Sequence, residues 1–305
     1  MTTAEHTLEL AYTGPYDWQA MSEWLGARAI DGIESVHRDG RYVRSISLGG
    51  EIGTIEVTPS AGTSALRVTI VFGNAGALPA IVERIRRIFD LDADIETIAE
   101  HLSADARLAP LLARRPGLRV PGAWDGYELA VRAILGQQIS VNAASSLAGR
   151  LVRRFGSPLP AELRAEGVEL VFPDPEHLAE ADVVSLGMPR ARAEAVRTIA
   201  RAAAEDPSIF MPSFDLAGSC ARLRRLRGVG EWTAQYIAMR ALREPDAFPA
   251  SDIGLMRAIA DDGGLRPSAR ELAATAEPWR PWRAYAALHL WADDAERERA
   301  RRKIA

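Results

Sequence analysis

The stretch Leu223-Arg224-Arg225-Leu226-Arg227-Gly228-Val229-Gly230-Glu231-Trp232-Thr233-Ala234-Gln235-Tyr236-Ile237-Ala238-Met239-Arg240 holds two helical patterns joined by Gly228-Val229-Gly230. The first pattern ends at Leu226, and a second starts directly after the turn. Glycine at the joint permits positive φ and lets another backbone approach closely. In the second pattern Ala234, Ile237, Ala238 and Ala241 recur at i, i+3, i+4 and i+7, a small-residue face suited to tight packing. A helix that starts at such a turn points unpaired backbone N–H groups outward, and those groups suit a phosphate. A grip of that kind reads no base sequence and needs little net charge. On spacing alone the turn is equally a plain joint between packed helices. Trp232 and Tyr236, four apart on a different face from the alanines, line either a stacking pocket or, more simply, a core.

Downstream comes Ala247-Phe248-Pro249-Ala250-Ser251-Asp252-Ile253-Gly254-Leu255-Met256-Arg257. Pro249 ends an extended stretch, and Ser251 or Asp252 caps a helix expected to run to Gly263-Gly264. N-capping is the commonest job for aspartate there. The chemical alternative is a carboxylate at the mouth of a cleft opposite the hairpin. Upstream, helices are expected over 125–155, with a break near Gln137 to Val141, and over 175–190 and 192–205; a last helix spans 281–301. Its end alternates charge sign and reads as solvated. Ser157-Pro158 reads as a loop, and no strand signal follows about residue 91.

Residues 1–90 read differently. Leu8 to Tyr12 alternates apolar and polar, Asp17 caps a helix carrying Trp18, Met21, Trp24, Leu25 and Arg28, and strands are expected at 32–37, 42–48, 53–58 and 66–71. Asp39-Gly40 and Gly49-Gly50 are hairpin turns. A helix over 78–89 places Ile81, Ile85, Ile88 and Phe89 on one side. The fold class is therefore α+β: an N-terminal antiparallel sheet with helices on one face (1–90), then an all-helical region (91–305) with a helix-hairpin-helix at 215–242.

Composition narrows the chemistry. The 305 residues, 48% hydrophobic and 26% charged, are ordinary for a globular chain. No run reaches the roughly 18 apolar residues of a membrane helix, and no secretion signal is visible, so a cytoplasmic protein without membrane contact is expected. Cys220 is the only cysteine, which excludes an internal disulfide, a cysteine-held iron–sulfur cluster and a cysteine-rich zinc site. The only lysine is Lys303, so no interior lysine can form a Schiff base. A net charge of −4 argues against indiscriminate binding to nucleic acid but leaves room for a local basic face. His101, His177 and His289 are too scattered for a metal site, and Asp261-Asp262 and Asp293-Asp294 read as surface acids. Arg132 and the cluster Arg150, Arg153, Arg154 read as phosphate contacts or a solvated helix face.

The combination L-R-G-V-G-x-W-T-A (226–234) followed by D-x-x-L-x-R (252–257) resembles the helix-hairpin-helix DNA glycosylase superfamily, and within it the DNA-3-methyladenine glycosylase II (AlkA) branch. Pro15-Tyr16-Asp17-Trp18, Ala27-Arg28-Ala29, Val131-Arg132-Ala133-Ile134-Leu135-Gly136-Gln137, Leu186-Gly187-Met188-Pro189 and Pro281-Trp282-Arg283 resemble segments of that branch too, so the likeness covers nearly the whole chain. The resemblance implies that Asp252 is the catalytic residue and that Ser251, where relatives carry a second acid, is not. It implies a base pocket of Trp24, Trp232, Tyr236 and Trp291, and a DNA grip by Gly228, Val229, Gly230 and Thr233. It puts Gln138 in the place of the intercalating wedge, and a monovalent cation on the carbonyls of Arg225, Arg227 and Val229. Lyase-type relatives carry their Schiff-base lysine where this chain has Trp232, and Ile253 and Ala292 stand where a well-known member of the branch has tyrosines. The implied protein is a monomeric, cofactor-free, monofunctional base-excision enzyme whose partner is double-stranded DNA containing alkylated bases. Competing expectations are a lesion-binding module without catalysis, and a bifunctional glycosylase of oxidised purines, which the lysine count opposes.

Overall fold

The computed structural model describes residues 4–212, 215–260 and 264–304, with side chains as far as Arg301; Asp261-Asp262, Gly263 and the Lys303 side chain lie outside the described residues. Strands β1 (Ala4–Ala11), β2 (Glu34–Val36), β3 (Tyr42–Leu48), β4 (Glu51–Pro59) and β5 (Ala65–Phe72) form one sheet in the order β1-β5-β4-β3-β2, antiparallel throughout. Gly49 and Gly50, with φ of +62° and +81°, make the two-residue connection from β3 to β4. Its positive φ values give a twist that matches the strands. Helix α1 (Trp18–Arg28) is capped by Asp17, whose side chain accepts from the Ala20 N–H. With α2 (Leu78–Phe89) it covers one face of the sheet: Met21, Leu25, Ile81, Ile85, Ile88 and Phe89 pack on Tyr42, Ile55, Val57, Leu66, Val68 and Ile70. Full burial of each such side chain stabilises by about 1.5–3 kcal/mol.

The opposite face is partly covered as well. Val43, Ile52 and Val71 pack against Leu159, Leu163, Val168 and Val171. That segment contains two further strands, β6 (Ser157–Pro158) and β7 (Leu170–Val171), and Gly32 bridges to Val168. The expectations of a loop at Ser157-Pro158 and of no strand beyond residue 91 are corrected here. Strands of two residues carry no period that a sequence can display.

The rest is helical: α3 (Ile95–Leu102), α4 (Ala109–Arg114), α5 (Gly126–Leu135), α6 (Val141–Phe155), α7 (Pro175–Glu180), α8 (Arg190–Glu205), α9 (Leu216–Arg224), α10 (Glu231–Arg240), α11 (Ile253–Ala258), α12 (Ala269–Thr275) and α13 (Arg283–Ile304). The break expected near Gln137 lies between α5 and α6. The helix expected over 175–190 stops at Glu180, because Ala181 turns to extended backbone and a short 3-10 turn follows. The helix expected from Ser251 or Asp252 to Gly263-Gly264 ends at Ala258.

The two layers meet at a largely buried cluster of charges. Arg44 on β3 donates to Glu34 (3.1 Å) and Glu128 (2.7 Å), and Arg132 on α5 pairs with Glu128 (2.6 Å) and Glu34 (2.9 Å). Burial pushes the Glu34 carboxyl up, but the Arg132 and Arg44 charges outweigh it and hold it below the usual range. Arg132 also donates to the Arg28 carbonyl at 3.1 Å, tying down the end of α1. Neither reading of Arg132 from sequence stands: its side chain is an internal counter-ion.

Candidate active site

Asp252 is the N-cap of α11, and its Oδ1 accepts from the Leu255 N–H at 3.0 Å. The cap is not its whole role. Oδ1 also accepts from Trp291 Nε1 and Oδ2 from Trp232 Nε1, both at 2.8 Å. Three donors from three helices fix one carboxylate, which stays half-buried at the edge of a cavity of about 870 Å³. Trp24, the Trp232–Tyr236 pair and Trp291, from three helices far apart in sequence, line the same cavity, so all four expected pocket aromatics come together. Trp232 and Tyr236 stack on each other, with ring centroids 5.1 Å apart and planes 9° from parallel. No base fits between those two rings; they present one continuous aromatic surface. Trp291 stands edge-on to Tyr236 at 6.5 Å, and Trp24 lies 5.8 Å from Trp291.

Two arginines that sequence reasoning left without a role shape this cavity. The Arg28 guanidinium lies 3.5 Å over the Trp24 ring. Arg240 Nη1 donates to the Tyr236 hydroxyl at 2.8 Å, while its Nε and Nη2 go to the Pro121 and Gly122 carbonyls. Burial pushes the Tyr236 phenol up, yet the Arg240 and Arg28 charges outweigh it and the net shift is downward. Arg28 itself is lowered, mainly by burial. The Arg28–Trp24 contact is an i, i+4 pair on α1, a spacing the sequence displays, whereas Arg240, 212 residues further along, joins the two only through the fold.

A second interaction fastens α11 to α13. Arg257 donates to Asp294 through Nε (3.0 Å) and Nη2 (2.6 Å). Asp293, 6% exposed, pairs with Arg114 and Arg297. The reading of Asp293-Asp294 as surface acids is therefore corrected: both are buried against arginines, two of which lie far along the chain. Gly254 sits where these groups converge. A Cβ there would lie 3.0 Å from Asp252 Oδ1, 3.3 Å from Trp291 Cδ1 and 3.4 Å from Asp294 Oδ2.

At the hairpin only Gly228 needs the left-handed region, at φ +93°, and its absent side chain lets Ala195 of α8 approach to 2.3 Å of the Cβ position. Gly230 is extended, caps α10 without a side-chain bond, and faces open space. Among the described residues, the backbone N–H groups of residues 230–233 donate to no protein acceptor. They are the free donors of a helix start. The Val229 N–H is committed to the Leu226 carbonyl, and Val229 and Thr233 are 7% and 3% exposed as whole residues, so the outward face of the turn belongs to Gly228 and Gly230. Gln137 Nε2 donates to the Gly228 carbonyl (2.9 Å) and to Thr233 Oγ1 (3.0 Å), so the α5–α6 loop is tied to the hairpin. At the tip of that loop Gln138 is exposed and held at φ +59°. No trio of His, Cys, Asp or Glu among the described residues is placed to hold a metal, and no described helix is long and apolar enough to cross a membrane.

Residues 7–125 match the AlkA N-terminal domain family, and residues 131–283 match the HhH-GPD superfamily of base excision DNA repair proteins. The chain is 40% identical over 285 residues to the probable bifunctional transcriptional activator/DNA repair enzyme AlkA of Mycobacterium tuberculosis, covering 93% of this chain and 56% of that protein. It thus spans about half the length of that relative. It is 34% identical to DNA-3-methyladenine glycosylase 2 of Escherichia coli, over 92% of this chain and 95% of that one. Its fold is similar to that of the 3-methyladenine DNA-glycosylase from Archaeoglobus fulgidus, with a TM-score of 0.81 at 22% identity over 95% and 98% of the two chains.

Proposed function

Because this chain belongs to the HhH-GPD superfamily of base excision DNA repair proteins, with an AlkA N-terminal domain ahead of it, we propose that it is a monofunctional DNA N-glycosylase that flips alkylated purines such as 3-methyladenine out of duplex DNA and releases them by hydrolysis. The observation that carries this reading is the Asp252 carboxylate, fixed by two indole N–H groups at the edge of a cavity walled by aromatic rings.

Rotating a base out of the duplex costs about a few kcal/mol. Stacking on an aromatic surface returns roughly 1–3 kcal/mol per base, and a charged base gains about 0.5–2 kcal/mol more from the rings. An alkylated purine is cationic and leaves as a neutral molecule, so no general acid is needed. As the glycosidic bond breaks, the sugar becomes oxocarbenium-like. Asp252 stabilises that charge and orients the attacking water. One carboxylate suffices, unlike the pair that ordinary glycoside hydrolysis requires. Trp232 fills the lyase lysine's place and the only lysine is Lys303, so the reaction ends at an abasic site.

The free N–H groups of residues 230–233 grip a phosphate of double-stranded DNA. Glu231, which would repel it, is paired with Arg224 at 3.0 Å. Gln138, raised on its strained loop, fills the gap left by the flipped base. The carbonyls of Arg225, Arg227 and Val229 accept no hydrogen bond among the described residues, and that donor set fits a monovalent cation strengthening the grip. The enzyme acts as a cytoplasmic monomer without a catalytic cofactor.

Asp252→Asn tests the assignment. The variant should bind abasic-site duplex like the wild type and lose release of 3-methyladenine, measured by chromatography of free bases. Release at the wild-type rate, or lesion binding by the wild type with no free base, overturns it.

A further inference from the structure

The loop between α5 and α6, residues 136–140, carries Gln138 at its tip, and little inside the loop holds it there. Its own backbone bonds are long: the Gln137 N–H reaches the Ile134 carbonyl at 3.3 Å, and the Ile139 N–H reaches the Gly136 carbonyl at 3.4 Å. Gln138 nevertheless sits at φ +59°, a conformation that a residue with a side chain keeps only where its surroundings impose it. The imposing contacts come from outside the loop and fall on Gln137. Its side-chain Nε2 has two N–H donors to give, and it donates to the Gly228 carbonyl at 2.9 Å and to Thr233 Oγ1 at 3.0 Å. Its main-chain carbonyl accepts from Arg192 Nη2 at 2.6 Å. Arg192 lies one turn of α8 before Ala195, the residue packed on Gly228. One side chain thus joins the raised loop to the turn that leads into the free N–H groups of α10, and the buried Thr233 spends its hydroxyl on Gln137.

We propose that Gln137 is a positioning residue that couples the hairpin's grip on a phosphate to insertion of Gln138 into the gap left by the flipped base. This rests on the glycosylase reading above, with Gln138 as the wedge. The grip holds any duplex, because phosphates carry no sequence information. The wedge gains contacts only where a base has left the stack. With Gln137 in place, the turn that seats the phosphate also sets the height and direction of residue 138. Docking of the backbone then delivers the wedge to the vacated step, with the loop already ordered in the free protein. Without that side chain the strain at residue 138 has nothing to oppose its release. The grip survives, and selectivity for a vacated position falls.

The test compares binding, by fluorescence anisotropy, to two duplexes of one sequence, one intact and one carrying a tetrahydrofuran abasic-site analogue. The ratio of the two dissociation constants does not depend on how much of each protein is folded. Gln137→Met should leave affinity for the intact duplex unchanged and lower the preference for the abasic duplex on the order of 10-fold, the worth of one or two neutral hydrogen bonds. Thr233→Val, which removes one of the two acceptors, should shift the preference the same way by less, and it decides if Gln137→Met does not fold. Gln138→Ala should lower the preference in the wild type but change it by less than about 2-fold once residue 137 is methionine, because the wedge is then no longer delivered. A general loss of structure predicts no such dependence. An unchanged preference in both variants, an equal loss of affinity for the two duplexes, or an equal effect of Gln138→Ala with and without Gln137 overturns this inference alone. Gln138→Ala without effect on the wild type removes the wedge and the coupling together. A wild-type protein that releases no 3-methyladenine overturns the glycosylase reading, and this inference falls with it.

Discussion

Adding one methyl group at Gly254 isolates the placement of the carboxylate from its chemistry. Gly254 is the second residue of α11 and needs no left-handed backbone, so alanine there is conformationally acceptable and gains up to about 1 kcal/mol of helix propensity. The new Cβ, however, would stand 3.0 Å from Asp252 Oδ1 and 3.3 Å from Trp291 Cδ1. Ordinary contacts at such atoms are roughly 3.5–4.0 Å, so a neighbour must move by a few tenths of an ångström. Trp291 is embedded in α13, so the carboxylate is the group pushed out of register with its three donors. A displacement of about 1 Å in a reacting group costs about 100-fold in rate, so a few tenths should cost about 3- to 10-fold. Gly254→Ala is therefore expected to melt at or slightly above the wild-type temperature, to bind abasic-site duplex normally, and to release 3-methyladenine several-fold more slowly in single-turnover assays with enzyme in excess. An unchanged rate in a variant of unchanged melting temperature would refute the claim that carboxylate placement limits the chemistry.

Three further outcomes are expected. Asp294→Asn should lower stability by about 1–3 kcal/mol by leaving Arg257 without its buried counter-ion, and should slow base release, with Asp294→Glu recovering part of both; equal loss in Asn and Glu variants would count against a charge effect. Gln138→Gly relieves a side chain held at φ +59° and should stabilise the fold by up to about 1 kcal/mol while weakening affinity for lesion-containing duplex, so tighter binding would argue against its place in the helix stack. Burial pushes the His289 imidazole down to about 4, with Arg115 adding to the shift, and its Nδ1 has no partner. The unfolded chain takes up this proton near its ordinary value of 6.5 and the folded one only near 4, so this stability is complete above pH 6.5 and is lost progressively as pH falls toward 4, by roughly 3 kcal/mol in all. Chemical denaturation of His289→Leu between those pH values should show a shallower slope.

Much of the N-terminal layer is legible locally. Gly49-Gly50 dictates its own turn, and Ile81, Ile85, Ile88 and Phe89 declare a helix face by their spacing; all four are buried. The hairpin is legible for the same reason, since Gly228 meets Ala195 where no side chain would fit. What stayed hidden depends on partners far along the chain. Asp293 and Asp294 follow an alternating-charge rule for solvated helices until Arg114 and Arg257 fold over them. Arg132 looks like any basic residue until two glutamates from different elements enclose it. The 157–171 segment covers the back of the sheet with isolated apolar residues and no period. The chemical residues themselves were found through motif likeness; the role of Asp252 as hub of two indoles is a tertiary fact.

The four charged groups of Glu34, Arg44, Glu128 and Arg132 sum to neutrality, and only Arg132 keeps a small part of its side chain in contact with the cavity. Prising the halves apart would have to hydrate all of them together, because freeing any one strands its neighbours in an apolar seam. The layer bearing Trp24 and the bundle bearing Asp252 should for that reason melt in a single calorimetric transition, and neither half can be grafted elsewhere as a detachable cartridge without carrying the other's counter-ions along.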